Sequence, residues 1–275
     1  MMAITAEEVK KLREKTGLPL MDCKKALTES SGDFDGAIRW LRENGVKIQT
    51  GRADRVTEFG RFGLFFNDSV GAMVELKCES APVTQNDAFI ALARDLAERL
   101  ATGSGAASAD DLLAQPSPGR EGSTLKERKD ELFNRIREVF NVGRMVRFDG
   151  RCAGYLHMGS VVHGVLVQAT GGTPEQLKDI CMHIAAMAPS ALTVDELDRA
   201  VVDNERSILR EAALKEGKPV NIVDKMVEGR LKTFYAERVL LEQPFVKDSA
   251  ISVGAYAKQA GIVLRRFAHQ VLGRE

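Results

Sequence analysis

Trp and Tyr are scarce: there are one Trp and three Tyr in 275 residues. Stacking of nucleic-acid bases on exposed rings is therefore not a theme of this chain. Net charge is absent as well, because 39 Lys and Arg cancel 39 Asp and Glu. Affinity for nucleic acid is mostly neutralisation of phosphate charge, so a neutral chain argues against broad backbone binding and leaves only a local basic face open. No apolar run approaches the roughly 20 residues of a membrane span. Met1–Lys15 has no apolar stretch of signal-peptide type, so a cytoplasmic protein is expected. Cys23, Cys78, Cys152 and Cys181 lie far apart with no Cys-x-x-Cys spacing. They are expected to be reduced core residues rather than disulfides or zinc ligands.

Signatures of chemistry are missing too. There is no Gly-x-x-x-x-Gly-Lys-Ser/Thr phosphate loop, no Gly-x-Gly-x-x-Gly after a strand, no Gly-x-Ser-x-Gly elbow and no His-Glu-x-x-His. No cofactor, no resident metal and no catalytic residue are expected. The histidines are His157, His163, His183 and His269. His157 and His163 flank a predicted strand turn, and with Cys152 they offer one alternative, a metal or thiol site. Their spacing has little specificity for a ligand set. His183 fits a helix residue at the edge of a core.

What is present is a folded composition, 44% hydrophobic and 28% charged, long enough for about two domains. Thr5 and Glu8 form a capping box that starts a first helix, which runs to Gly17. Pro19 opens a second, Leu20–Glu29. Asp33 caps a third, with Phe34, Ala37, Ile38 and Leu41 on one face and Asn44-Gly45 as its end. Val46–Val56 reads as a linker with some helix. Phe59–Phe66 and Val70–Cys78 flank the turn dipeptide Asn67-Asp68 and form a hairpin. A helix follows over Asn86–Ala101, a helical island near Asp110–Gln115, and a helix capped by Thr124 and Glu127 that extends to about Phe140. Strands are predicted over Gly143–Phe148, Arg151–His157 and Val161–Gln168. Thr173-Pro174 starts a helix that Pro189 stops.

An αα-hairpin comes next. Thr193 and Glu196 suggest its capping box, and Val194, Leu197, Val201 and Ile208 its seam. Glu216-Gly217-Lys218-Pro219 turns the chain, and Val223, Val227, Leu231, Phe234 and Leu241 mark the return. A last strand, Val263–Gln270, returns to the second sheet. Hairpins and helices without regular βαβ spacing give an α+β class. Five parts are expected: an N-terminal three-helix unit over 1–45, a linker over 46–56, a core subdomain over 57–149, a second core subdomain over 150–191 and 230–275, and a projecting antiparallel coiled-coil hairpin over 192–229. Each core subdomain pairs an antiparallel sheet with helices.

Four separated motifs carry a resemblance to a known family. They are Gly17-Leu18-Pro19-Leu20-Met21-Asp22-Cys23-Lys24-Lys25-Ala26-Leu27; Met182-His183-Ile184-Ala185-Ala186 with Pro189; Gly217-Lys218-Pro219 with Met226-Val227-Glu228-Gly229-Arg230; and Gln243-Pro244-Phe245-Val246. In order and spacing along nearly the whole chain, they resemble the bacterial translation elongation factor Ts family. The resemblance implies a UBA-like N-terminal unit and a guanine-nucleotide exchange factor for elongation factor Tu, a translational GTPase, in its GDP-bound and nucleotide-free forms. It implies no bond-making chemistry. Such a factor binds the empty GTPase more tightly than the GDP-bound one, and by linkage it weakens GDP equally. A coupling of about 4 kcal/mol corresponds to roughly a thousandfold in affinity. Longer members carry a further helical module beyond the part matched by Phe267-Ala268-His269. The hairpin serves dimerisation in some members, so it is a candidate dimer element here.

By position, the resemblance places Leu12, Leu20 and Met21 against a helix of the GTPase domain, although Leu12 and Met21 suit the small helical core equally well. It places His157 at a loop tip on the same partner, where an ordinary strand-end histidine is the alternative. It also makes Ser80, Ala81, Pro82 and Val83 the loop that reaches the magnesium site. Family members read Thr-Asp-Phe-Val there; the Phe inserts between GTPase helices and the Asp disturbs the Mg²⁺ that holds the diphosphate. Ala81 has no carboxylate and Pro82 no aromatic ring. Either exchange relies more on a stiff loop, on His157 and on N-terminal docking, or the protein is a chaperone or regulator of the GTPase with weak exchange.

Overall fold

The computed structural model describes residues 4–52, 54–216 and 219–274. Two units divide the chain, Met1–Gly63 with Val74–Met145 and Leu64–Met73 with Val146–Glu275. Helices alternate with small sheets in an α+β arrangement.

In the first unit, α1 (Ala6–Thr16) opens on the predicted reciprocal box: Glu8 N–H donates to Thr5 and the Glu8 carboxylate accepts the Thr5 N–H. It closes on Gly17, whose φ of 68° is the left-handed cap that glycine adopts without strain. Helix α2 (Leu20–Glu29) follows Pro19, and Asp33 caps α3 (Phe34–Thr50) through the Asp35 and Gly36 N–H groups. Val9, Leu12, Leu18, Cys23, Ala26, Leu27, Ala37 and Leu41 fill the core between them. Asn44-Gly45 does not end α3, which continues to Thr50 through part of the expected linker. Gly45 is a packing glycine: a Cβ there would collide with the Asn134 side chain of a later helix. A glycine demanded by close helix approach carries the same letter as a cap, and sequence alone misassigns it.

Strands β1 (Phe59–Phe66) and β2 (Val70–Cys78) match their predicted bounds, and the Asn67 carboxamide accepts the Ser69 and Val70 N–H groups in the turn. A 3-10 turn, Ala81–Gln85, leads into α4 (Asp87–Thr102), capped by Asn86. After α5 (Ala109–Leu113), α6 (Leu125–Ile136) starts at its Thr124–Glu127 box. It stops short of Phe140 because Arg137 adopts φ 67° and its N–H closes on the Phe133 carbonyl. Strand β3 (Asn141–Asp149) completes a sheet of order β1-β2-β3. Inside the unit, the Arg144 guanidinium forks onto the buried Glu75 carboxylate at 3.1 and 2.8 Å. That bidentate pairing satisfies a charge that would be costly to bury alone.

In the second unit, β4 (Cys152–Met158) and β5 (Val162–Thr170) pair antiparallel, with His157 opposite His163. Helix α7 (Pro174–Met187), boxed by Thr173 and Gln176, buries Leu177, Ile180, Cys181 and Ile184. The Thr193–Glu196 capping box does not form. Glu196 instead accepts the Leu192 N–H at 2.8 Å, and Asp198 caps α8 (Arg199–Lys215) through Ala200. Return helix α9 (Val220–Arg238) runs antiparallel, as Arg206–Glu228 and Arg210–Asp224 pairs show. The Gly217-Lys218 part of the predicted turn lies outside the described residues. Ala213, Val223, Val227, Leu231 and Phe234 form the seam, with Leu197, Val202 and Leu209 against them. Val201 and Ile208, expected in that seam, are about half exposed; the true register is one residue later along the helix. Leu241 lies beyond α9 in a short 3-10 turn.

Sequence reasoning missed the β6 (Pro244–Phe245) and β7 (Asp248–Ser252) ribbon and α10 (Val253–Gln259). These elements are too short to show a period. Strand β8 (Val263–Val271) returns to pair with β5, giving the order β4-β5-β8.

Two of the four motifs meet inside this unit. His183 is fully buried; its Nε2 bonds Gln243 Oε1 at 3.0 Å and its Nδ1 accepts the Val246 N–H at 3.1 Å. An acceptor on one ring nitrogen and a donor on the other define a neutral imidazole. Gln243 Nε2 in turn donates to the Glu237 carbonyl. The histidine expected at a core edge is thus the centre of a buried polar joint.

Burial pushes His183 below the ordinary histidine value of 6.5, partly offset by its bond to Gln243. Burial lowers His163 and His269 as well. Between a lowered folded pKa and 6.5, the unfolded chain binds more protons, so stability falls as pH falls through that window and is flat above it. The urea midpoint of the protein is therefore expected to drop between about pH 7.5 and 5.5. His183→Gln, which cannot titrate, is expected to show a smaller drop. Equal midpoints for the parent protein at the two pH values would contradict this account.

Candidate functional site

The first turn of α2 presents two apolar side chains to solvent. Leu20 is 49% exposed and Met21 70% exposed. The buried face of α2 is Cys23, Ala26 and Leu27, and Met21 lies on the opposite side with exposed Lys24 and Lys25. Leu12 is fully buried in the core of α1–α3, so of its two readings the core one holds, and it has no surface to offer a partner.

The loop Ser80–Val83 is tightly held. Ser80 donates its N–H and hydroxyl to the two oxygens of Glu138, at 3.0 and 2.5 Å. The Ser80 carbonyl accepts the Cys78 thiol, the Thr84 hydroxyl donates to the Ala81 carbonyl, and Arg61 donates to the Thr84 carbonyl. Val83 is buried as the anchor while Ala81 and Pro82 stand exposed at the apex. Pro82 sits in the first turn of the 3-10 segment, where its fixed φ fits and its missing N–H is not needed.

The loop is also tied back toward α2. Arg137, directly after α6, pairs with Asp22 of α2, and its carbonyl accepts Arg52 Nη1 at 2.7 Å. Val139 N–H donates to Glu79 at 2.7 Å, and Glu79 also accepts Arg55. Burial raises the Glu79 pKa, but the Val139 N–H and the Arg55 charge outweigh it and hold the carboxyl below its ordinary value.

In the second unit, His157 is exposed near the end of β4, beside the turn to β5. The Tyr155 hydroxyl lies 3.3 Å from its Nδ1. Behind it, His163 Nδ1 and His269 Nε2 are 3.0 Å apart with stacked rings. Met158 and Val161 are 42% and 38% exposed at the same tip. Those two were not anticipated; apolar residues beside Gly159-Ser160 were the available signal.

Cys152 does not join these histidines. It pairs with Gln168 at the far end of β4, five residues from His157, or about 16 Å along a strand. It is buried, and burial pushes its thiol up to about 11. Burial likewise lifts Cys78 and Cys181, each to about 12. Such thiols are not nucleophiles at neutral pH. The thiol-enzyme alternative has no assembled site.

The fold is α+β, and its surface carries exposed apolar side chains and an ordered loop. Residues 79–274 match the family described as Elongation factor TS. Elongation factor Ts of Saccharopolyspora erythraea is 40% identical over 274 residues, covering 98% of this chain and 98% of that protein. Elongation factor Ts of Burkholderia mallei and of Burkholderia pseudomallei are each 40% identical over 275 residues, covering 99% of this chain and 92% of theirs. The chain belongs to the elongation factor Ts family.

All four cysteines are free and buried. A water-soluble thiol reagent at pH 8 is expected to label none of them within minutes in the folded protein, and all of them in denaturant. Rapid labelling of Cys152 in the native state would reopen the thiol reading.

Proposed function

We propose that this protein is a guanine-nucleotide exchange factor that binds elongation factor Tu in its GDP-bound and nucleotide-free forms and promotes GDP release. It makes and breaks no covalent bond, binds no nucleic acid directly, and acts in the cytoplasm. Among the described residues, no helix is long and apolar enough to cross a membrane. The observation that carries the proposal is the tethered Ser80–Val83 loop with its exposed Ala81-Pro82 apex. A loop ordered before binding loses little freedom on docking, so contact energy can act on the partner's nucleotide site.

Leu20 and Met21 supply apolar docking on the GTPase, and His157 with its tip supplies a second contact. Leu12 acts only by supporting the first. The UBA-like character of α1–α3, the coiled-coil character of α8 and α9, and the five-part division belong to the same proposal. Exposed Val201 and Ile208 on α8 suit pairing of the hairpin with a second copy.

A second function, docking on the GTPase as a chaperone or regulator with weak exchange, is favoured by one feature. Ala81 brings no carboxylate to the magnesium site, and Pro82 is too small for an aromatic slot. Stopped-flow release of fluorescent GDP from elongation factor Tu, with Mg²⁺ present, separates the two. Saturable acceleration is expected; binding without acceleration would establish the docking-only role. Met21→Asp is expected to raise the half-saturating concentration about tenfold with little loss of stability, because the side chain is exposed. Replacing Ala81-Pro82 with Asp-Phe is expected to speed release further, and no gain would sink the idea that Pro82 fills the partner's slot less deeply than an aromatic ring.

A further inference from the structure

The turn Arg137-Glu138-Val139 touches every part of the first unit that the proposed exchange uses. Arg137 holds Asp22, the residue after Met21 in α2. Glu138 holds Ser80 by two hydrogen bonds, and Val139 holds Glu79. Arg52 and Arg55, from the segment after α3, grip the Arg137 carbonyl and Glu79. Three consecutive residues thus bond the docking helix on one side and the exchange loop on the other.

The turn is also conformationally unusual. Arg137 has φ 67°, one of three non-glycine residues with positive φ among the described residues. A bulky L-residue there is uncommon and is kept where its surroundings over-determine it. Glycine would end α6 more easily, as Gly17 does for α1. What glycine could not supply is the guanidinium on Asp22.

We infer that Arg137 and Glu138 are positioning residues that fix the Leu20–Met21 docking face and the Ala81-Pro82 apex in one rigid frame. This inference rests on the exchange function proposed above. Docking at α2 then carries a rigid apex to the nucleotide site without a separate ordering step, as pre-organised groups act. A chain whose loop lacks both a carboxylate and an aromatic ring depends on that stiffness more than one whose loop has them. Coupling between two sites needs a physical connection with a defined geometry, and here it is one turn long.

Two measurements test this on the full chain. Spin labels at Lys24→Cys on α2 and Gln85→Cys after the apex read the frame directly, since the native thiols are buried. A narrow distance distribution is expected. Arg137→Gly, whose backbone suits the left-handed position, is expected to stay folded and broaden it. Arg137→Asp is expected to broaden it as well, and the swap Asp22→Arg with Arg137→Asp to narrow it again. In GDP-release titrations with elongation factor Tu, Arg137→Gly and Glu138→Gln are expected to lower the maximal rate about tenfold while the half-saturating concentration changes less. The swap is expected to recover most of the rate, which a purely stabilising role would not require.

Equally narrow distributions and equal maximal rates in folded Arg137 variants would overturn the inference alone. A parent protein that leaves GDP release unaccelerated would overturn the proposed function and this inference with it.

Discussion

Much of the first unit depends on how α6 ends. Had the chain continued as helix past Ile136, Glu138 could not face Ser80 and Val139 could not reach Glu79. The left-handed residue at Arg137 turns the backbone out of the helix, and the next two residues become donors and acceptors for the strand-to-loop segment. One backbone conformation therefore sets the end of a helix, the shape of an exposed loop and an ion pair to α2. Charge-assisted bonds of this kind are stronger than neutral ones and specify direction. Arg137 and Asp22 are only partly exposed, so solvent screens their pairing less than it would a fully exposed pair.

The second unit is organised by a different device. His183, Gln243 and the Val246 N–H close a buried polar joint in which each ring nitrogen has a partner. It joins α7 to the start of the β6–β7 ribbon, segments some 60 residues apart in sequence. Burying polar groups this way is favourable only when they are satisfied, and then it specifies one arrangement. At the sheet's edge, by contrast, His157 remains exposed, with the Tyr155 hydroxyl beside its Nδ1 and the His163 ring edge-on to its own. One histidine is committed to structure; another stands at the surface, where the proposed function puts a partner contact.

Local signals were legible where local physics decides. The Thr5–Glu8 and Thr124–Glu127 boxes, the Thr173-Pro174 helix start and the Asn67-Asp68 hairpin stand where the sequence places them. What failed was set at a distance. Gly45 reads as a stop, but it is there to let Asn134 approach. Thr193 and Glu196 have cap spacing, yet Glu196 is taken by Leu192. Val201 and Ile208 have heptad spacing, and a one-residue shift turns them outward. Of the candidate site, the exposed pair Leu20–Met21 and the loop were identified through family motifs. The hold of Glu138 on Ser80 was invisible, because the two residues are 58 positions apart and Glu138 belongs to no motif.

The central claim is thermodynamic: the protein prefers the nucleotide-free GTPase, and GDP and this protein weaken each other equally. The most direct test is its dissociation constant for elongation factor Tu measured by calorimetry, once with the empty GTPase and once at saturating GDP and Mg²⁺. The account predicts binding at least about 100-fold weaker when GDP is present. Equal dissociation constants in the two states would contradict it, since a ligand without preference shifts nothing however tightly it binds.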